Sequence, residues 1–193
     1  MMDKFNLLYH SLISESPMLA DRKYREELNN KELNKNEADK VIEYSLLKET
    51  YKNYQVFEYF QTSSDKFWNY FIKNGQIEAA VIYAIKNNNF RCWGVWQKKE
   101  NKGLVRDLFL NYYANKNFNS IISDPVSNEL GKEFWKTLIE EFVKKGNKVT
   151  VLKKEKIEEP YNPSLFEKYW KVDNSTQFGL IIASEMLFKI YLQ

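Results

Sequence analysis

Apolar positions along the chain change their period twice, and the changes divide it. Phe5, Leu8, Tyr9, Leu12 and Ile13 recur at three- and four-residue spacing, which puts them on one helix face ending before Pro17. Asn34, three residues before Glu37, makes a capping-box pattern, and Ala38, Val41, Ile42 and Leu46 then form a second helical stripe. Residues 1–52 are therefore expected to be an amino-terminal helical segment, packed as one unit with a main domain over 53–193.

Near residue 54 the period drops to two. Strands are predicted from Tyr54 to Phe60, Phe67 to Ile72, Ile77 to Ile85 and Phe90 to Trp96. Asn74-Gly75 lies between the second and third, and both residues tolerate the positive φ of a type I′ turn, so the pair is a tight antiparallel hairpin. The run Asn87-Asn88-Asn89 offers the next turn.

Beyond the meander the pattern alternates. Leu104, Val105, Leu108, Phe109 and Tyr112 share a helical face that begins after Gly103, and Asn119 to Ser123 is a short apolar strand. A helix from Ser127 to Lys145 follows, carrying Leu130, Phe134, Trp135, Leu138, Ile139 and Phe142 inward and ending near Gly146. Lys148 to Leu152 reads as a strand, 154–175 as an irregular connection with a short helix after Pro163, Phe178 to Ala183 as a last strand and Met186 to Tyr191 as a closing helix. Strands interleaved with helices need crossover connections, so the class is α+β with a mixed sheet holding a parallel pair.

Composition narrows the chemistry. With 44% hydrophobic and 16% aromatic residues in 193, the chain has material for a buried core and is not expected to be disordered. One His and one Cys exclude a zinc domain and a disulfide framework, and no metal site is expected. No apolar run reaches the length of a membrane span and no secretory leader is evident, so a soluble, cytoplasmic protein is expected. A net charge of +3, spread through segments of mixed sign, makes no case for nucleic acid. Phe90, Trp93 and Trp96 beside Lys98 and Lys99 have the composition of a base-stacking platform, but on a central strand these aromatics are expected to fill both of its covered faces. A Cys92–His10 nucleophile pair has no support beyond residue type.

The order of helices, four antiparallel strands, helix, strand, helix and closing strands resembles the GNAT N-acetyltransferase family over roughly residues 54–183. In that family the turn after the fourth strand carries a Q/R-x-x-G-x-G/A motif whose backbone N–H groups cradle the pyrophosphate of acetyl-CoA. Glu100-Asn101-Lys102-Gly103-Leu104-Val105-Arg106 corresponds here. Gly103 stands at the middle glycine and Arg106 at a frequent basic position, while Glu100 replaces the Arg or Gln and Val105 the last Gly or Ala. The resemblance implies that Lys98, Lys99, Lys102, Gly103, Leu104 and Arg106 would hold the cofactor if acetyl-CoA binds. Glu100 repels a pyrophosphate and the branched Val105 obstructs close backbone approach.

The family's usual Tyr acid has no counterpart, because the helix from Ser127 to Lys145 contains no Tyr. Asp124, at the end of a strand, and Tyr112 are the remaining catalytic candidates, with Tyr113 and Tyr161 possible by type. Residues 121–142, with Gly131 and Trp135, resemble GNAT-like proteins of tailed bacteriophages. Leu12-Ile13-Ser14-Glu15 resembles the cleavage pattern of phage head-packaged leaders. The expectation is a GNAT-like, non-catalytic binding or structural protein without a cofactor. Phage virion proteins would be its partners, and the host cytoplasm or a virion its location. The alternatives are an acetyl-CoA-dependent N-acyltransferase and an anti-host effector that binds a bacterial protein.

Overall fold

The computed structural model describes residues 38–39, 41–62, 64–124, 129–153, 157–169 and 186–193. The predicted helix at residues 5–13, the Asn34 cap and the strand Phe178 to Ala183 lie outside them. Among the described residues there are nine strands, β1 Leu46–Tyr51, β2 Tyr54–Gln61, β3 Lys66–Lys73, β4 Gln76–Lys86, β5 Asn89–Gln97, β6 Ser120–Ile122, β7 Val149–Lys153, β8 Ile157–Pro160 and β9 Met186–Tyr191. Their order in the sheet is β1-β2-β3-β4-β5-β6-β9-β7-β8. The architecture is thus α+β with a mixed sheet: a strand meander, then helix, strand, helix, strand. By its internal contacts the chain divides into two units, one holding the residues up to Ile82 with Gly94–Val105, the other Tyr83–Trp93 with Arg106–Gln193.

In the first unit, β1 pairs antiparallel with β2 and β2 with β3. Between β3 and β4, Asn74 and Gly75 have φ of 51° and 68°, the two positive values that a type I′ turn requires. Alternation along these strands sends Phe57, Trp68, Ile72, Ile77 and Ile82 into a core completed by Trp96 and by Ala38 and Val41 of the preceding helical residues. The Trp68 indole donates to Gln61 Oε1 at 3.2 Å, so the one polar atom of that ring is paired inside the core.

The second unit packs aromatic rings. Tyr83 and Phe90 stack at 4.6 Å between centroids, and Phe90 meets Phe109 edge-on at 5.8 Å. Helix α1, Leu104–Asp107, runs directly into a π-helical segment, Leu108–Tyr113. All five residues of the predicted stripe are buried, and so is Tyr113, which the stripe did not include. The wider π turn advances each residue by a smaller angle, which rotates Tyr113 inward. Helix α2, Glu129–Lys144, buries Trp135, Leu138, Ile139 and Phe142 as predicted. Strand β6 runs parallel to β5, with Phe90 opposite Ile121. Asparagines set that register: the Asn119 N–H donates to Asn88 O at 2.8 Å and Asn88 Nδ2 to Asn117 O at 2.5 Å.

Three expectations are corrected. Leu46 begins a strand instead of closing a helical stripe, because residues 46–51 fold back on β2 through the turn at Lys52, whose φ is 53°. Met186–Tyr191 is strand β9 and not a helix; lodged between β6 and β7, it buries Leu187, Phe188 and Ile190, so successive apolar residues face both sides and the period is lost. Ile157–Pro160, within the expected irregular connection, is β8, paired antiparallel with β7. The outermost strands carry devices that discourage further pairing, a register irregularity between Leu47 and Glu49 on β1 and Pro160 on β8. Among the described residues no helix is long and apolar enough to cross a membrane.

Candidate functional site

The loop from β5 into α1 is held from both ends. Gln97, the last residue of β5, extends its side chain so that Oε1 accepts the backbone N–H of Val105 at 2.9 Å. The Lys98 N–H donates to Glu78 O at 3.0 Å, continuing the strand contact, and the Asn101 N–H donates to Lys98 O at 3.0 Å within the short 3-10 turn Lys99–Asn101. Gly103, at φ 89°, then reverses the chain into α1 in a conformation that a Cβ would strain.

Side chains close the loop further. Lys98 Nζ donates to Gln76 Oε1 at 2.5 Å and lies 3.2 Å from Glu78 Oε1. Asn101 Nδ2 donates to the other oxygen, Glu78 Oε2. The Lys98 and Glu78 side chains are each only 12% exposed, so this pair interacts in a weakly screened environment.

The sequence candidates therefore separate. Lys98 is committed to Glu78 and Gln76, and Leu104 and Val105 point into the interior. Lys99, Glu100, Lys102 and Arg106 are exposed. In the second unit Tyr112 is buried, with Lys116 Nζ 4.4 Å from its ring centre, and Tyr113 is buried among aromatic rings. Of the three rings weighed for base stacking, Phe90 and Trp96 are buried, and Trp93 alone is open, with Arg91 stacked 4.6 Å from its centre.

No protein-family model matches the chain, and no curated protein matches it by sequence. A crystal structure of a Bacillus subtilis acetyltransferase in complex with CoA is similar to it, at 8% identity over 67% of this chain and 78% of that one, with a TM-score of 0.36.

Asp124 is a different kind of group. It follows β6, and one carboxylate oxygen accepts the indole N–H of the buried Trp135 on α2. Burial pushes its carboxyl up to about 6, against the pull of the indole and of its own backbone N–H, which favour the charged form. Tyr161 is pushed up to about 12 by burial, with Glu140 and Tyr169 adding to it, which keeps its phenol neutral.

Residue-type reasoning missed Gln97, Gln76 and Glu78. Their signal was present but indirect. Gln76 and Glu78 alternate with inward residues on β4, and Gln97 stands at a strand terminus, where a long amide can reach the next helix.

A pyrophosphate cradle needs free N–H groups and unpaired cations. Here the Val105 N–H is taken and Lys98 is paired with Glu78, while Lys99, Lys102 and Arg106 are exposed.

Proposed function

We propose that this chain is a non-catalytic binding or structural protein, built on a GNAT-like order of elements whose cofactor loop has been closed by its own side chains. The observation that carries the reading is the bond from the Val105 N–H to Gln97 Oε1. That bond uses an N–H at the start of α1, the kind of donor on which a helix start holds an anion. The bond and ion pair between Glu78, Asn101 and Lys98 favour the same closed arrangement.

A protein partner is supported by Leu46 and Leu47, which are 70% and 55% exposed on the outermost strand. The resemblance of residues 121–142 to phage GNAT-like proteins supports placing that partner in a phage particle. Equilibrium dialysis against labelled acetyl-CoA tests the reading. Equal label on both sides is expected, and saturable accumulation with the protein would overturn it.

One observation favours a second reading, an N-acyltransferase with an atypical phosphate site. Asp124 is a carboxyl raised to about 6, a value suited to accepting a proton near neutral pH. That reading requires release of CoA thiol from acetyl-CoA in the presence of amines, lost in Asp124→Asn.

A further inference from the structure

We propose that Asn74 is a site of spontaneous covalent modification, at which the side-chain amide converts to a mixture of aspartate and isoaspartate and loosens the β3–β4 hairpin. Asn74-Gly75 is the one Asn-Gly dipeptide in the chain. Both residues are exposed, at the tip of the two-residue turn between β3 and β4.

In the reaction the Gly75 backbone nitrogen attacks Asn74 Cγ. The new N–Cγ bond closes a five-membered imide as the Cγ–Nδ2 bond breaks, and the proton lost by the attacking nitrogen leaves with ammonia. Water then opens the ring at either carbonyl, so the net change is amide plus water to carboxylate plus ammonium. No oxidant, reductant or enzyme is required.

Steric access decides where this happens. A Cβ at Gly75 would meet nothing within 4 Å, so the turn is open on that side, and Gly75 has no side chain to hinder attack by its nitrogen. The other asparagine-rich turn is different. Asn88 Nδ2 is held by Asn117 O at 2.5 Å, Asn89 Nδ2 by Lys86 O and Asn87 O at 3.1 Å each, and each of Asn87, Asn88 and Asn89 precedes a residue with a side chain.

The product affects the fold. Isoaspartate adds one backbone methylene to a loop whose two residues set the register of β3 against β4, and those strands carry Trp68, Ile72 and Ile77 of the first unit's core.

The test is incubation of the full chain at mildly alkaline pH, followed by peptide mass mapping and a thermal melt. The peptide holding Asn74 is expected to convert on the order of tenfold faster than the peptide holding Asn87, Asn88 and Asn89. The aged protein is expected to melt below fresh protein and below Asn74→Asp, which has the charge without the extra methylene. Asn74→Gly, which keeps a turn of positive φ without the amide, should hold its melting temperature through the same incubation. Conversion spread evenly over the asparagines, an unchanged Asn74, or an equal loss of stability in Asn74→Gly would each overturn the proposal.

Discussion

Gln97 caps α1 from the strand that precedes it: its Oε1 lies 2.9 Å from the Val105 nitrogen. The contact ties two consecutive elements through one side chain and satisfies an N–H that the helix itself cannot. Gln97→Ala is expected to cost about 1 kcal/mol, or about 2–4 °C in melting temperature for a chain of this size. Gln97→Glu keeps the acceptor and is expected to retain the stability that alanine loses. Thermal or urea melts of the three proteins check the ordering.

Glu78 neutralises Lys98 in a largely buried setting and also accepts from Asn101. Removing it strands a largely buried ammonium, for which the cost is typically about 3 kcal/mol or more. Because Gln76 still accepts from Lys98, Glu78→Ala should fall at or below that figure. The double variant Glu78→Leu with Lys98→Met is expected to recover most of the loss. A double-mutant cycle in urea measures the coupling.

Asp124 makes stability depend on pH with a definite sign. The folded carboxyl holds its proton to about 6, and the ordinary value is 3.8. The stability it contributes is therefore fully present below about pH 4 and lost as pH rises through about 6. The difference is at most about 3 kcal/mol, and its partial exposure reduces that. Asp124→Asn keeps an oxygen for the Trp135 indole, removes the charge, and should flatten the profile while raising stability at neutral pH. Urea melts across pH 4 to 8, followed by tryptophan emission, check both effects.

Much of this fold was legible because local chemistry and tertiary context agree. The strands β2 to β5, the Asn74-Gly75 turn, the inward face of α1 and α2, and the parallel partner after the first crossover follow from period and turn residues alone. Where the period was hidden, reading failed. Leu187 and Phe188 are both buried on β9, so the strand looks like part of a helix. Leu46 continues a helical stripe in sequence but is claimed by pairing with β2. The closed loop was less legible still, since Gln97 acts on a residue eight positions away through a turn whose geometry no residue type announces.

Phe109 joins the second unit's aromatic rings, fully buried with Phe90, Tyr113, Phe134 and Trp135 around it. Phe109→Ala is expected to cost about 3–5 kcal/mol, the range for a large cavity in a packed core. Phe109→Leu should cost less than half as much. Denaturant melts of both variants distinguish cavity loss from a general weakening of the π-helical segment.

The central claim is that the loop from Gln97 to Val105 is closed to a pyrophosphate. A thermal-shift titration with acetyl-CoA, alongside free CoA and ATP, tests it most directly. The account predicts an unchanged melting temperature at millimolar ligand. A binder at a hundredfold excess over Kd would gain about 2.7 kcal/mol, a rise of roughly 5–10 °C. A rise of that size with CoA species, absent with ATP and abolished by Gly103→Trp, would contradict the account.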